Sequence, residues 1–232
     1  MTNDWSIMFD EEINTETGEE ITLVETVREK AQGFFHGARG SHDWEHTQRV
    51  ASLCRRIGPV EGADMTVLLI AALLHDLGRA EQDGTAGRIC HARRGAEMAA
   101  DVIRPLAMGR ERRDNVLHCI RAHRFRGDER PETVEARVLF DADKLDAIGA
   151  VGVARAFLFA GEVGARLHNP DVDPADTRPY TQEDTGYREY KLKLCKIRER
   201  MLTVEGRRLA EARHAFMEAF FNRFIEEYQG KR

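Results

Sequence analysis

From residue 21 onward, apolar residues recur at intervals of three, four, seven and eight, the spacing that gathers side chains on one helical face. No run alternates apolar and polar in the strand manner, and the helix formers Ala, Leu, Arg and Glu dominate. The pattern therefore predicts an all-α fold. Residues 1–20 are polar and acidic, with Asn14, Thr15, Thr17 and Gly18 reading as a turn, so they are expected to form a loosely attached leader. Ser41 is expected to cap a helix with Asp43 and Glu45 in its first turn, stopped by Gly58-Pro59. An apolar helix should begin near Asp64 and end at Gly78. Another should open at Pro131 and run to about Ala160. Residues 166–186, rich in Pro, Asp and Thr, read as a long loop after a helical core over 21–165. A charged pair of helices over 187–232 should pack on that core, with Phe216, Phe220, Phe221 and Phe224 turned inward.

Certain ionisable residues break this pattern. His46 shares its stripe with Val50, Leu53 and Ile57; His75 follows Leu68, Ala71 and Ala72; Asp76 follows Leu69, Ala72 and Leu73. Asp143 lies in line with Leu139, Ala147 and Ala150, His91 continues into Gly95 and Met98, and His123 extends Val116, Cys119 and Ile120. A charge isolated in a low-dielectric interior is costly, so such groups must be paired, neutralised or bound to a metal. No basic residue occurs from 65 to 78, which favours a metal for His75 and Asp76. Carboxylates with neutral imidazoles form a mixed N/O donor set for a divalent cation. For any one histidine, a hydrogen-bonded core role is the commoner alternative. Asp141, Asp143 and Asp146 crowd three acids into six residues and strengthen the case at Asp143. His118 should be exposed, and His36, His168 and His214 have no supporting pattern.

Composition narrows the classes. The chain is 42% hydrophobic and 32% charged, ordinary for a globular protein. Its longest uninterrupted apolar stretch, 67–74, falls far short of the roughly 20 residues that span a bilayer. The acidic N-terminus lacks a secretion signal, so a cytoplasmic setting is expected. Cys54, Cys90, Cys119 and Cys195 form no C-x-x-C pair and read as buried small apolar residues. A net charge of −5 argues against a nucleic acid duplex as partner, whereas the arginines around 121–130 suit a small anion.

His46 in HDWEHTQRV, His75-Asp76 in AALLHDLGR and Asp143 in DADKLDAIGA together resemble the HD-domain superfamily, reinforced by His91 in HARRGAEMA and by IRAHRF at His123. The resemblance covers roughly 35–160, and the segment TVEGRRLAEARHAFMEAFF is similar to the ending of a bacterial subfamily of HD hydrolases. It implies a helical fold and hydrolysis of phosphate esters or anhydrides, often of nucleotides. Carried over, His46, His75, Asp76 and Asp143 hold one divalent ion (Mn, Mg, Ni, Co, Fe or Zn), while His91 and His123 hold a second ion or face the substrate. Arg124 stands where one branch of the superfamily has a second consecutive histidine, and the Gly-Tyr-Pro signature of cyclic-dinucleotide phosphodiesterases is absent. Metal-activated water is the expected nucleophile. Asp76 would help orient it and Lys144 would neutralise developing charge, with His42, Arg124 and Arg126 as candidate phosphate contacts. A dinuclear-iron oxygenase and a non-catalytic nucleotide-sensing module are the alternatives. Oligomeric state is not readable from the sequence.

Overall fold

The computed structural model describes residues 17–35, 43–85, 88–124 and 129–232. The regular elements among them are all helical. They run α1 (Gly18–Phe34), α2 (Trp44–Glu61), α3 (Met65–Leu74), α4 (Arg79–Gly84), α5 (His91–Ile103), α6 (Arg110–Ala122), α7 (Val134–Asp146), α8 (Gly149–Glu162), α9 (Gly186–Leu192) and α10 (Val204–Tyr228), with short 3-10 turns at Pro174–Asp176, Leu194–Lys196 and Arg198–Arg200.

α3 is the axis of the bundle. All ten of its residues are buried, as expected of a helix that is apolar all round. α1, α2, α5, α6 and α7 pack around it. On the far side of α7, α8 and α10 form a second layer, and α10 also reaches α2. Phe221 of α10 is buried, stacked on Tyr190 at 4.3 Å and near Phe157 at 6.2 Å. Phe220 and Phe224 are partly covered, whereas Phe216 faces outward, 47% exposed.

Several helix ends differ from the sequence expectation. α1 starts at Gly18, because Thr17 and Glu20 form a capping box where a turn was expected. Asp43, whose side chain accepts from the His46 N–H at 2.9 Å, caps α2; Ser41 lies outside the described residues. Pro59 does not stop α2, which continues to a left-handed Gly62. A proline in the last turn forfeits a single ladder bond, too little to end the helix there. α3 ends at Leu74, four residues before Gly78. Gly78 serves a close approach instead: a Cβ there would lie 2.4 Å from the His91 carbonyl oxygen. The helix expected from Pro131 to Ala160 begins after the Thr133 cap and breaks at Ala147-Ile148. Gly149 takes the left-handed conformation (φ 78°) that restarts the chain as α8, packed against Arg213. The C-terminal pair is one short helix, two 3-10 turns and one long helix.

Candidate metal centre

The candidate residues gather where four helices end or begin around α3. His46 sits in the first turn of α2, His75 caps the C-terminus of α3 and Asp76 occupies the turn that follows. His91 opens α5, His123 caps the end of α6, and Asp143 lies in the last turn of α7. His46, His75, Asp76, His91 and His123 are all buried, and Asp143 is 16% exposed.

Asp76 is the hub. Its Oδ2 lies 3.7 Å from His46 Nε2 and 3.8 Å from His75 Nε2. Its Oδ1 lies 3.6 Å from His91 Nε2 and 3.8 Å from His123 Nε2. Asp143 Oδ1 stands 3.4 Å from His46 Nε2. Two donor groups result, His46–His75–Asp143 and Asp76–His91–His123, each with ligand atoms within 4.8 Å of one another.

Hydrogen bonds on the far side of each ring set its tautomer. His75 Nδ1 donates to the Ala72 carbonyl at 2.8 Å, and His123 Nδ1 to the Ile120 carbonyl at 2.6 Å. His91 Nδ1 donates to Gln82 Oε1 at 2.8 Å; that oxygen also receives the His91 backbone N–H, which fixes it as the acceptor. His46 Nδ1 donates to Asp146 Oδ2 at 2.8 Å. Each Nε2 is thereby left to face inward, the arrangement of ligand and orienting partner that metal-binding histidines use.

The donor set fits a divalent cation by a direct test. Burial pushes the pKa of His91 down to about 2 and that of His123 to about 3, so both rings are neutral with the proton on Nδ1. Their Nε2 lone pairs nevertheless face each other at 3.1 Å, which no hydrogen bond between two acceptors explains. His75 Nε2 is buried and makes no hydrogen bond among the described residues, and burial lowers its pKa as well. Burial would also discharge His46, but Asp143 and Asp146 outweigh it and raise its pKa to about 9. Asp143 is raised by burial but held well below the usual carboxylate range by Lys144 and His46. Three neutral imidazoles, an ionised carboxylate and a fourth ring, His46, whose proton a cation would displace make up the donor set that a divalent ion requires.

The HD-domain family model matches residues 43–148. YpgQ of Bacillus subtilis is 34% identical over 215 residues, 91% of this chain and 96% of that protein. The chain belongs to the HD-domain superfamily. The crystal structure of YpgQ in complex with ADP matches with a TM-score of 0.68 at 33% identity, covering 90% of this chain and 96% of that one. An HD-superfamily hydrolase from Bacillus thuringiensis matches at 0.72 and 27% identity, covering 90% and 98%. Ribonuclease Y of Chloroflexus aurantiacus is 34% identical over 106 residues, 46% of this chain but only 18% of that protein.

Around this HD centre, Lys144 Nζ donates to Asp143 Oδ2 at 2.6 Å and to the His123 carbonyl at 2.8 Å, bridging both donor groups. Arg124 is turned to Cys90 Sγ at 3.2 Å, beside His91. His42 and Arg126 lie outside the described residues, as does His36. His118, expected to be exposed, is half-buried and accepts the Glu132 N–H at 3.1 Å. His168 packs among Tyr187, Phe224 and Tyr228 instead of joining the centre. Of the cysteines, Cys54 and Cys119 are buried as expected, but Cys90 and Cys195 are half-buried. The absence of basic residues from 65 to 78 does not leave Asp76 to a metal alone. Arg79, one residue beyond the stretch without basic residues, places Nη2 3.4 Å from Asp76 Oδ1 and shares in its neutralisation.

Sequence reasoning missed three supporting residues. Gln82 orients His91. Arg49 and Arg155 hold Asp146, at 2.7 Å each, behind His46. No role was expected for any of them, because only the folded arrangement turns them to the centre.

Proposed function

We propose that this HD-domain protein is a metal-dependent phosphohydrolase that cleaves a phosphate ester or anhydride bond of a small nucleotide. The observation that carries the reading is Asp76, with one carboxylate oxygen toward each histidine pair. His46, His75, Asp76 and Asp143 hold one divalent ion in this reading, and His91 and His123, with Asp76 between the two groups, provide for a second. Such ions lower the pKa of a bound water, to about 7 in favourable cases, and draw charge from phosphoryl oxygens. The chain supplies the rest. Asp146, Gln82 and two backbone carbonyls hold the rings in position, and the buried walls exclude bulk water. Lys144, against Asp143, adds positive charge where a phosphoryl group gains negative charge.

The nucleotide is favoured by the ADP complex of YpgQ, a relative that shares nearly its full length with this chain. No described helix is long and apolar enough to cross a membrane. A cytoplasmic setting suits such a substrate and four unpaired cysteines. The negative net charge favours a small ligand over a duplex.

The test is elemental analysis of the purified protein with a panel of nucleotides, phosphate esters and pyrophosphate, in the presence of Mn, Mg, Ni, Co, Fe or Zn. Hydrolysis that requires metal and falls by more than a hundredfold in Asp143→Ala is expected. Wild-type turnover in Asp143→Ala would sink the ligand set. The Asp76–His91–His123 group also suits a second reading, a dinuclear-iron oxygenase. Two irons per chain with oxygen consumption and no phosphate release would establish that instead. Ligand binding with neither activity would mark a sensing module.

A further inference from the structure

A cavity of about 330 Å³ adjoins the metal centre, within the usual size range of small-molecule sites. Its lining includes Asp143 and Lys144 of α7, Arg155 and Phe159 of α8, Tyr180 of the loop before α9, and Lys193 at the end of α9.

Tyr180 is anomalous. Among the described residues it is the one non-glycine with positive φ, 59°, a conformation that costs a residue with a Cβ roughly 1–2 kcal/mol. The residue is 76% exposed, so burial of the ring does not offset that cost. The support lies beneath it. The Tyr180 N–H donates to Asp184 Oδ2 at 2.7 Å, and the other oxygen of Asp184 receives Arg188 Nη1 at 2.8 Å. Arg188 also donates to the Thr177 hydroxyl at 2.5 Å and to the Thr177 carbonyl at 3.2 Å. Asp184 and Arg188 are both buried. A buried ion pair is weak evidence for stability, because desolvating the two charges consumes most of their attraction. A strained backbone and a buried polar network thus converge beneath one exposed ring. That ring meets Phe159 edge-on, 5.9 Å between centroids at 79°.

The geometry points to Tyr180 and Phe159 as an aromatic wall for the base of a nucleotide whose phosphates reach Asp143 and Lys144, with Asp184–Arg188 as its positioning pair. The inference rests on the nucleotide reading above and extends it from the phosphates to the base. Lys144, Arg155 and Lys193 are paired with Asp143, Asp146 and Glu189, so they offset the carboxylates that would otherwise repel a phosphate. Of the two nearly perpendicular rings, one supplies the flat face on which a base stacks and the other bounds its edge. Stacking is indifferent to base identity, because every base has a π-face. Purine and pyrimidine nucleotides should therefore both depend on Tyr180.

Calorimetric binding of ADP, CDP and inorganic pyrophosphate to Mn-loaded wild type, Tyr180→Ala and Tyr180→Phe tests this. The alanine variant should bind both nucleotides roughly 5- to 100-fold more weakly, with pyrophosphate affinity and melting temperature unchanged. The phenylalanine variant should restore nucleotide binding. Asp184→Asn should weaken the nucleotides and spare pyrophosphate, as a positioning residue would. Unchanged nucleotide affinity in Tyr180→Ala, or an equal loss for pyrophosphate, would overturn the wall alone. A wild type that binds pyrophosphate and neither nucleotide would overturn the nucleotide reading, and the wall with it.

Discussion

Asp141, Asp143 and Asp146 share the last two turns of α7 and meet three different surroundings. Asp143 faces the metal centre and the cavity. Asp141 is buried away from it and accepts the backbone N–H groups of Leu202 and Thr203 and the Thr203 hydroxyl, tying α7 to the start of α10. Asp146 stands behind His46, and its Oδ2 receives His46, Arg49 and Arg155. The crowding of acids was visible in the sequence, but the division of tasks was not, since it depends on which neighbour each helical face meets. Replacing Asp146 with Asn removes the charge that holds the His46 ring. Loss of such an orienting partner costs about 10- to 100-fold in metal affinity. Titration of Asp146→Asn with Mn should show that loss with helicity retained; wild-type affinity would refute the orienting role.

At the level of elements, the join between α7 and α10 depends on Asp141. Asp141→Ala leaves two backbone donors without their acceptor in a buried join, and each such group costs about 1–3 kcal/mol. We expect urea denaturation to show a loss of about 3 kcal/mol, with metal binding per folded molecule retained. Parallel loss of metal affinity would show that the join also sets the centre. Most helices were legible from their periodicity, α3 above all, because ten successive core positions leave no other reading. Their ends were less legible. Gly78, Gly58-Pro59 and the 147–149 break each carry helix-stop residues, yet Gly58-Pro59 stops nothing, while Gly149 restarts the chain as α8 and the Gly78 carbonyl accepts the first ladder bond of α4. Gly78 answers to α5 packing against it, a neighbour that local sequence does not announce.

Across the whole molecule, burying four histidines in one centre makes stability depend on pH. Burial lowers the pKa of His75, His91 and His123, so the unfolded chain takes up three protons near pH 6.5 that the folded chain refuses. The metal-free protein should therefore lose stability as pH falls below about 6.5. His46 acts in the opposite sense: its contribution is complete below about 6.5 and is lost as pH rises through about 9. Urea denaturation of metal-free protein should show a maximum near neutrality. Saturating Mn should flatten the alkaline side, because the cation replaces the His46 proton; an unchanged alkaline slope would show that Nε2 of His46 binds no metal. Periodicity and the misplaced ionisable residues determined the helical class and named six side chains of the centre, since burying a charge demands a partner whatever the fold. Only the tertiary structure decided that Asp76 stands between two histidine pairs, that Asp146, Gln82 and Arg155 support them, and that Tyr180 is aimed at the cavity. Those relations join positions up to a hundred residues apart, and no local pattern encodes a distance of that kind.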